Sequence, residues 1–281
     1  MIEIANLSFK YGQHGLFSNL NLSLAPGGIC GLLGKNGAGK TTLLKLMAGL
    51  RFPKGGQIVM NGRLPFRRTV DFLQDIFFLP EVFDLPALTS LQYGKMYSPF
   101  YPGFRKELFR DYLHLFEVPK DRKLKNISYG QKKKFLIAFG LATGCRLVLM
   151  DEPTNGLDIT SKSAFRKAVA SCLSEDRIFV IATHQVRDLE TLIDPVVILD
   201  NGRIIFNETM EAISSRLKVS YQPDPPQPEE ALFFEKRMGG YMAVSENLDG
   251  TFSDIDLETL FGSVVSNQDR ISEIFKEVES K

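Results

Sequence analysis

The sequence predicts an α/β fold, a parallel sheet with helices packed against it, and three observations carry that prediction. Short apolar runs at Ile29–Leu33, 147–150 and 178–182 read as strands buried on both faces, where no polar alternation is needed. Stretches with apolar residues at helical spacing follow them: Leu43, Leu44, Leu46, Met47 and Leu50 after the first, then Phe165, Ala168, Val169, Cys172 and Leu173 after the second. Strand and helix thus alternate, as doubly wound architectures require.

Before the first apolar run, Leu20, Leu22 and Leu24 alternate with polar neighbours, so the first thirty or so residues read as an antiparallel β subdomain that turns at Pro26-Gly27-Gly28. Asn61-Gly62 after residues 58–60 predicts a second hairpin. Leu108, Phe109, Tyr112, Leu113 and Phe116 share one helical face that Pro119 ends, which places a mostly helical insert at about 83–141. Residues 196–199 and 203–206 flank Asn201-Gly202, a hairpin expected to close a main domain at residue 217. Pro223, Pro225, Pro226 and Pro228 then make 218–230 an extended linker. Residues 231–281 form a small α+β appendage, with Leu257, Leu260, Phe261 and Val264, and Ile271, Ile274, Phe275 and Val278, at helical spacing. A segment this short cannot bury that much apolar surface alone, so it is expected to dock on the main domain or on a second copy.

The 281 residues carry 34 basic against 33 acidic side chains, a balance that gives no long-range pull toward nucleic acid, and no nucleic-acid partner is expected. No apolar run approaches the ~20 residues that span a bilayer. Met1-Ile2-Glu3-Ile4 lacks the basic-then-apolar pattern of a secretory signal, so a cytoplasmic chain is expected. Cys30, Cys145 and Cys172 sit in apolar surroundings without metal-ligand spacing and read as reduced core residues.

Chemistry enters with Gly34-Lys35-Asn36-Gly37-Ala38-Gly39-Lys40-Thr41, placed between a predicted strand and a predicted helix. Glycines let such a loop curl its N–H groups around phosphate oxygens, and the following helix adds its positive end. Lys40 would reach the β- and γ-phosphates, and the Thr41 hydroxyl would ligate Mg²⁺. Asp151 and Glu152 end the strand at 147–150, at the sheet edge where ligands bind; Asp151 would hold Mg²⁺ through water and Glu152 would polarise the attacking water. His184 follows the strand at 178–183 and is expected to open a helix and to sense the γ-phosphate. Two further groups stand out. Lys132, Lys133 and Lys134 begin a helix where the dipole disfavours cations, which reads either as a solvated charge run or as a lysine turned to the phosphates of a ligand on a second chain. Tyr93, Tyr97, Phe100, Tyr101 and Phe104 form an aromatic cluster, either core or a groove for a helix of a membrane protein.

Taken together these residues resemble the ATP-binding subunits of the ABC family over residues 2–216. The resemblance rests on Gly34 to Thr42, on Ile127-Ser128-Tyr129-Gly130-Gln131 where the family signature reads L-S-G-G-Q, on Asp151-Glu152-Pro153-Thr154-Asn155-Gly156-Leu157-Asp158, on His184, and on Tyr11 after Phe9-Lys10. It implies a phosphate-loop ATPase fold with antiparallel subdomain and helical insert, with Gly34, Asn36, Gly37, Ala38, Gly39, Lys40, Thr41 and Thr42 around ATP and Tyr11 stacked on adenine. It further implies that Ser128, Gly130 and Gln131 cover the ATP of a second copy or a homologous subunit, that Asp158 couples the two sites, and that Glu152 acts as catalytic base, with His184, once the dimer closes. Two departures stand out. Where the family has a glutamine that contacts Mg²⁺, Glu81 after Leu79-Pro80 is preferred over the rival Gln74, and Tyr129 replaces the first signature glycine, adding bulk near the neighbouring phosphate. The implied function is to power an integral-membrane transporter subunit, from the cytoplasmic face and in the manner of bacterial exporters. The alternative is a soluble ATPase acting on ribosomes or DNA.

Overall fold

A computed structural model describes residues 1–227 and 229–276; Pro228 and Val278 lie outside the described residues. The chain opens with β1 (Ile2–Tyr11), β2 (His14–Leu24), β3 (Ile29–Leu33), α1 (Lys40–Met47), β4 (Gly55–Met60), α2 (Val70–Leu73) and β5 (Ile76–Leu79). It continues with α3 (Ser90–Tyr97), α4 (Lys106–Leu115), α5 (Tyr129–Ala142), β6 (Leu147–Asp151), α6 (Ile159–Ser171) and β7 (Ile178–Thr183). The remainder is β8 (Val196–Asp200), β9 (Arg203–Glu208), α7 (Met210–Arg216), β10 (Leu217–Gln222), β11 (Phe233–Arg237), β12 (Gly240–Glu246), α8 (Leu257–Ser266) and α9 (Gln268–Lys276).

The central sheet runs β5-β6-β7-β3-β8-β9, parallel except for the last strand, which returns through the Asn201-Gly202 turn. Both turn residues take positive φ, 44° and 75°, as a two-residue hairpin requires. The N-terminal strands form a separate antiparallel sheet, β2-β1-β4, whose inward residues Leu20, Leu22 and Leu24 are buried. Helix α1 lies in one core with both sheets, since Leu43, Leu44, Leu46 and Met47 pack with Leu7, Leu22 and Ile58 as well as with Leu32, Leu149 and Val180. A second core holds the other face of the parallel sheet together with α4, α5 and α6.

Three expectations change. Asn61-Gly62 makes a turn but no two-stranded hairpin, because across it only Met60 bridges to Arg63, while β4, Met60 included, pairs with β1. Residues 218–222 are not linker: they belong to β10, which pairs antiparallel with β12, so the proline-rich stretch begins only at Pro223. The appendage therefore has a sheet of its own, β10-β12-β11, and its Leu257, Leu260, Val264, Ile271 and Phe275 join the second core beside Phe206 and Ile213. Leu50 and Leu173 are exposed, because α1 and α6 end before them at Met47 and Ser171. The three cysteines are free and buried, and burial pushes the Cys145 thiol up to about 12.

Because the C-terminal helices share a core with the parallel sheet, one cooperative unfolding transition is expected for the whole chain. Leu260 has no exposed surface. Truncating Leu260→Ala should cost about 3 kcal/mol and shift the entire urea transition, read by tryptophan-independent far-UV signal. A shift confined to a minor early phase would mean that the appendage folds separately.

Candidate functional site

Strand β3 sits between β7 and β8 and delivers the loop Gly34 to Gly39 to the carboxyl edge of the sheet. Gly37 and Gly39 take φ of 83° and 112°, and a Cβ on Gly39 would stand 2.8 Å from the Phe17 ring, so the curl of the loop needs glycine there. Lys40 is buried, and its Nζ donates to the carbonyls of Gly34 (2.6 Å) and Lys35 (3.2 Å). Burial lowers this amine, while Glu152, Asp151 and Glu81 raise it.

Parallel pairing sets β6 and β7 beside β3, so Asp151, Thr183 and the loop converge. The Thr41 hydroxyl donates to Asp151 Oδ2 at 2.7 Å. Asp151 Oδ1 is buried without a hydrogen-bond partner, and burial pushes the carboxyl up, with the Thr41 hydrogen bond opposing. An oxygen-lined position with one orphaned carboxylate oxygen fits a hard divalent cation. Among the described residues no group of three His, Cys, Asp or Glu could hold a metal by itself, so such a cation would need oxygens from its ligand as well.

Glu152 stands at φ 49°, a left-handed conformation uncommon for a non-glycine residue, and this turns its side chain back over the end of β7. There Thr183 Oγ1 donates to Oε2 at 3.0 Å, and the His184 N–H donates to Oε1 at 3.1 Å. His184 Nδ1 lies 2.6 Å from the same Oε1. A carboxylate can only accept, so the imidazole carries its proton on Nδ1. His184 does not open an α-helix: a single 3₁₀ turn at Val186–Asp188 follows it. Thr183, which the motif reading missed, was legible only as the neighbour of His184.

A cavity of about 690 Å³ opens over these groups, lined by Tyr11, Asn36, Gly37, Gly39, Lys40, Thr41, Thr42, Glu81, Asp151, Glu152 and His184. Gly34 lines an adjoining cavity and Ala38 is buried beneath the loop. Tyr11 is largely exposed at the rim, edge-on to Phe9 and 3.2 Å through its hydroxyl from Thr42 Oγ1. Gln74 is elsewhere, in a groove beside α2, so Glu81 and not Gln74 reaches the cavity. Asn155, within the Asp151-to-Asp158 motif, also lines it, as does Leu16, which nothing in the sequence marks.

The signature segment starts α5 with a capping box, in which Ser128 Oγ accepts from the Gln131 N–H (3.3 Å) and Gln131 Oε1 from the Ser128 N–H (3.2 Å). Ser128, Gly130 and Gln131 do not line the cavity of their own chain. Tyr129 donates to the Glu81 carbonyl of its own chain at 2.6 Å and stacks on Phe83. Asp158 caps α6, accepting from Ser161 N (2.8 Å) and from Lys134 Nζ (3.1 Å). The three lysines part company: Lys133 is wholly buried, Lys134 is paired with Asp158, and Lys132 is partly exposed. The reason is helical geometry, which points successive residues of α5 in different directions.

Known proteins of similar sequence and fold identify the family. The ABC transporter family profile matches residues 17–155. The lantibiotic transport ATP-binding protein SrtF of Streptococcus pyogenes is 30% identical over 214 residues, covering 74% of this chain and 90% of that one. The bacitracin transport ATP-binding protein BcrA of Bacillus licheniformis is 30% identical over 209 residues, covering 73% and 68%. Among solved structures, the ATP-binding subunit of an ABC transporter superposes with a TM-score of 0.69 at 25% identity over 76% of this chain and 91% of that one. A dimeric bacterial ABC cassette gives 0.66 at 23% identity over 75% and 99%, a likeness of fold. The chain belongs to the ABC transporter family, as one of its ATP-binding and ATP-hydrolysing cassettes.

Proposed function

We propose that this ATPase powers an exporter, closing on a second copy or a homologous subunit and driving a separate membrane-spanning chain from its cytoplasmic face. The relatives named for lantibiotic and bacitracin transport support this over a role on ribosomes or DNA. No described helix is long and apolar enough to cross a membrane. A groove of about 560 Å³ between the end of α1, α2 and the insert exposes Leu50, Val70, Leu73, Tyr97, Phe100 and Tyr101. Tyr93 and Phe104 pack instead on Phe139, so the aromatic cluster is part core and part groove. An apolar groove of this shape suits an amphipathic helix of the membrane subunit.

ATP lies over the phosphate loop with Tyr11 against adenine, and Lys40 exchanges its two carbonyl partners for β- and γ-phosphate oxygens. Thr41 and Asp151 would hold Mg²⁺, with Glu81 facing it across the cavity, and the ion would neutralise charge on the phosphates. Glu152, oriented by Thr183 and His184, takes the proton of the attacking water. Ser128, Gly130 and Gln131 complete the site of the other copy, with Asp158 beside them, so an unpaired chain hydrolyses poorly. The convergence of the Glu152 carboxylate, its two orienting partners and the phosphate loop at one sheet edge supports this most directly.

The C-terminal region takes a regulatory role in this proposal. Glu258 pairs with Arg187, and Glu190 Oε1 accepts from the Leu257 N–H at 3.0 Å, so α8 holds the segment that follows His184. The Glu258 pair is exposed and adds little stability. Glu258→Lys is therefore expected to leave the melting temperature and ATP affinity unchanged and to alter ATP turnover several-fold; turnover equal to wild type would remove the role.

Asp151 illustrates function at the expense of stability. Its folded-state pKa is raised by burial, so the carboxyl favours the folded state only below its unfolded value, and that contribution is lost as pH rises through the folded value. Asp151→Asn should thus raise the melting temperature of nucleotide-free protein at pH 7. It should also abolish the extra stabilisation of MgATP over ATP with EDTA, seen in the same melts. For the partner, Glu152→Gln with MgATP should retain a multi-spanning membrane protein in pull-downs from native membranes, and Tyr97→Cys should crosslink to it. Ribosomal proteins or DNA in its place would favour the alternative.

A further inference from the structure

Lys133 lies one turn into α5 with no exposed surface, a costly place for an ammonium near the positive end of a helix. Its Nζ donates to the carbonyl of Glu152 at 2.8 Å and to that of Asn155 at 3.0 Å. The ring of Tyr129, one turn earlier, stands 5.1 Å from the same ammonium. An apolar side chain of similar volume would fill this space more cheaply. What a lysine adds is a grip on two carbonyls of the loop that carries the proposed catalytic base.

That grip falls where it matters. Glu152 holds its left-handed φ of 49° only while its surroundings enforce it. Its N–H donates to the Ala182 carbonyl at 2.9 Å, and its carbonyl accepts from Lys133, so the residue is pinned at both ends of its main chain. The side chain is thereby aimed at Thr183 and His184. Further contacts bind the start of α5 to the same loop: a Cβ on Gly130 would stand 2.9 Å from the Gly156 carbonyl, and one on Gly156 would stand 3.4 Å from the Tyr129 ring.

We propose that Lys133 is a positioning residue for ATP hydrolysis, holding the Glu152 main chain so that the signature helix of each chain supports that chain's own catalytic carboxylate. The inference rests on Glu152 acting as base. It also makes the two sites of a dimer interdependent, because the segment offered to the neighbour's ATP and the support of the local carboxylate lie on consecutive turns at the start of one helix.

The test measures kcat and KM for MgATP, with ATP affinity and melting temperature as controls, in Lys133→Met, Lys133→Gln and Lys133→Arg. Lys133→Met should lower kcat on the order of 10- to 100-fold with KM within about twofold, and Lys133→Arg should restore part of the loss. In a Glu152→Gln background the Lys133→Met change should cause no further loss of single-turnover rate, since the carboxylate it positions is gone. Should Lys133→Met not fold, Lys133→Gln, a neutral donor, is expected to give an intermediate kcat at unchanged KM. A wild-type kcat in any folded variant lacking the ammonium, or an equal loss with and without the Glu152 carboxylate, overturns the inference. A Glu152→Gln variant as fast as wild type would instead remove the reading of Glu152 on which it rests.

Discussion

The in-register parallel pairing of β6, β7 and β3 is the constraint on which the rest depends. Leu33 pairs with Thr183, and Asp151 pairs with Ala182, so the three strands end at nearly the same level. A slip of one residue would turn each side chain to the opposite face. It would part Thr41 from Asp151 and Glu152 from Thr183. Register is fixed because the strands are buried on both faces, with Val148, Phe179 and Ile181 in one core and Leu149, Val180 and Leu32 in the other.

On that scaffold the site collects polar groups whose burial is unfavourable by itself. Lys40, Lys133, Asp151 and Glu152 all lie inside. Lys40 and Lys133 hold carbonyls, Glu152 accepts from Thr183 and His184, and Asp151 keeps one oxygen unpartnered. An arrangement optimised for stability alone would have removed the last of these; a site that must accept a cation and phosphates has reason to keep it.

The C-terminal region reaches the same edge from behind. Its helices share the core of the parallel sheet, and α8 touches the segment after His184. Phe275 packs edge-on against Phe206, so these helices cover apolar surface of the main domain. Its sheet begins at β10, directly after α7, which is why no linker separates it from the preceding helix.

The local features were legible in the sequence because their causes are local. Glycines at 34, 37 and 39 specify a phosphate loop, alternating Leu20, Leu22 and Leu24 specify a half-buried strand, and Asn201-Gly202 specifies a two-residue turn. The apolar runs likewise marked β3, β6 and β7, and Asp151, Glu152 and His184 followed from the strand ends. Contacts between segments distant in the chain were decided only by the tertiary structure. It brought Glu81 and not Gln74 to the cavity, turned Lys133 inward while Lys134 met Asp158, paired residues 218–222 with β12, and set His184 against Glu152. The physical reason is that backbone propensity and periodicity act over one turn or one strand, whereas the partner of a buried charge or of an unpaired strand edge is set by whatever the packed chain brings within hydrogen-bonding distance.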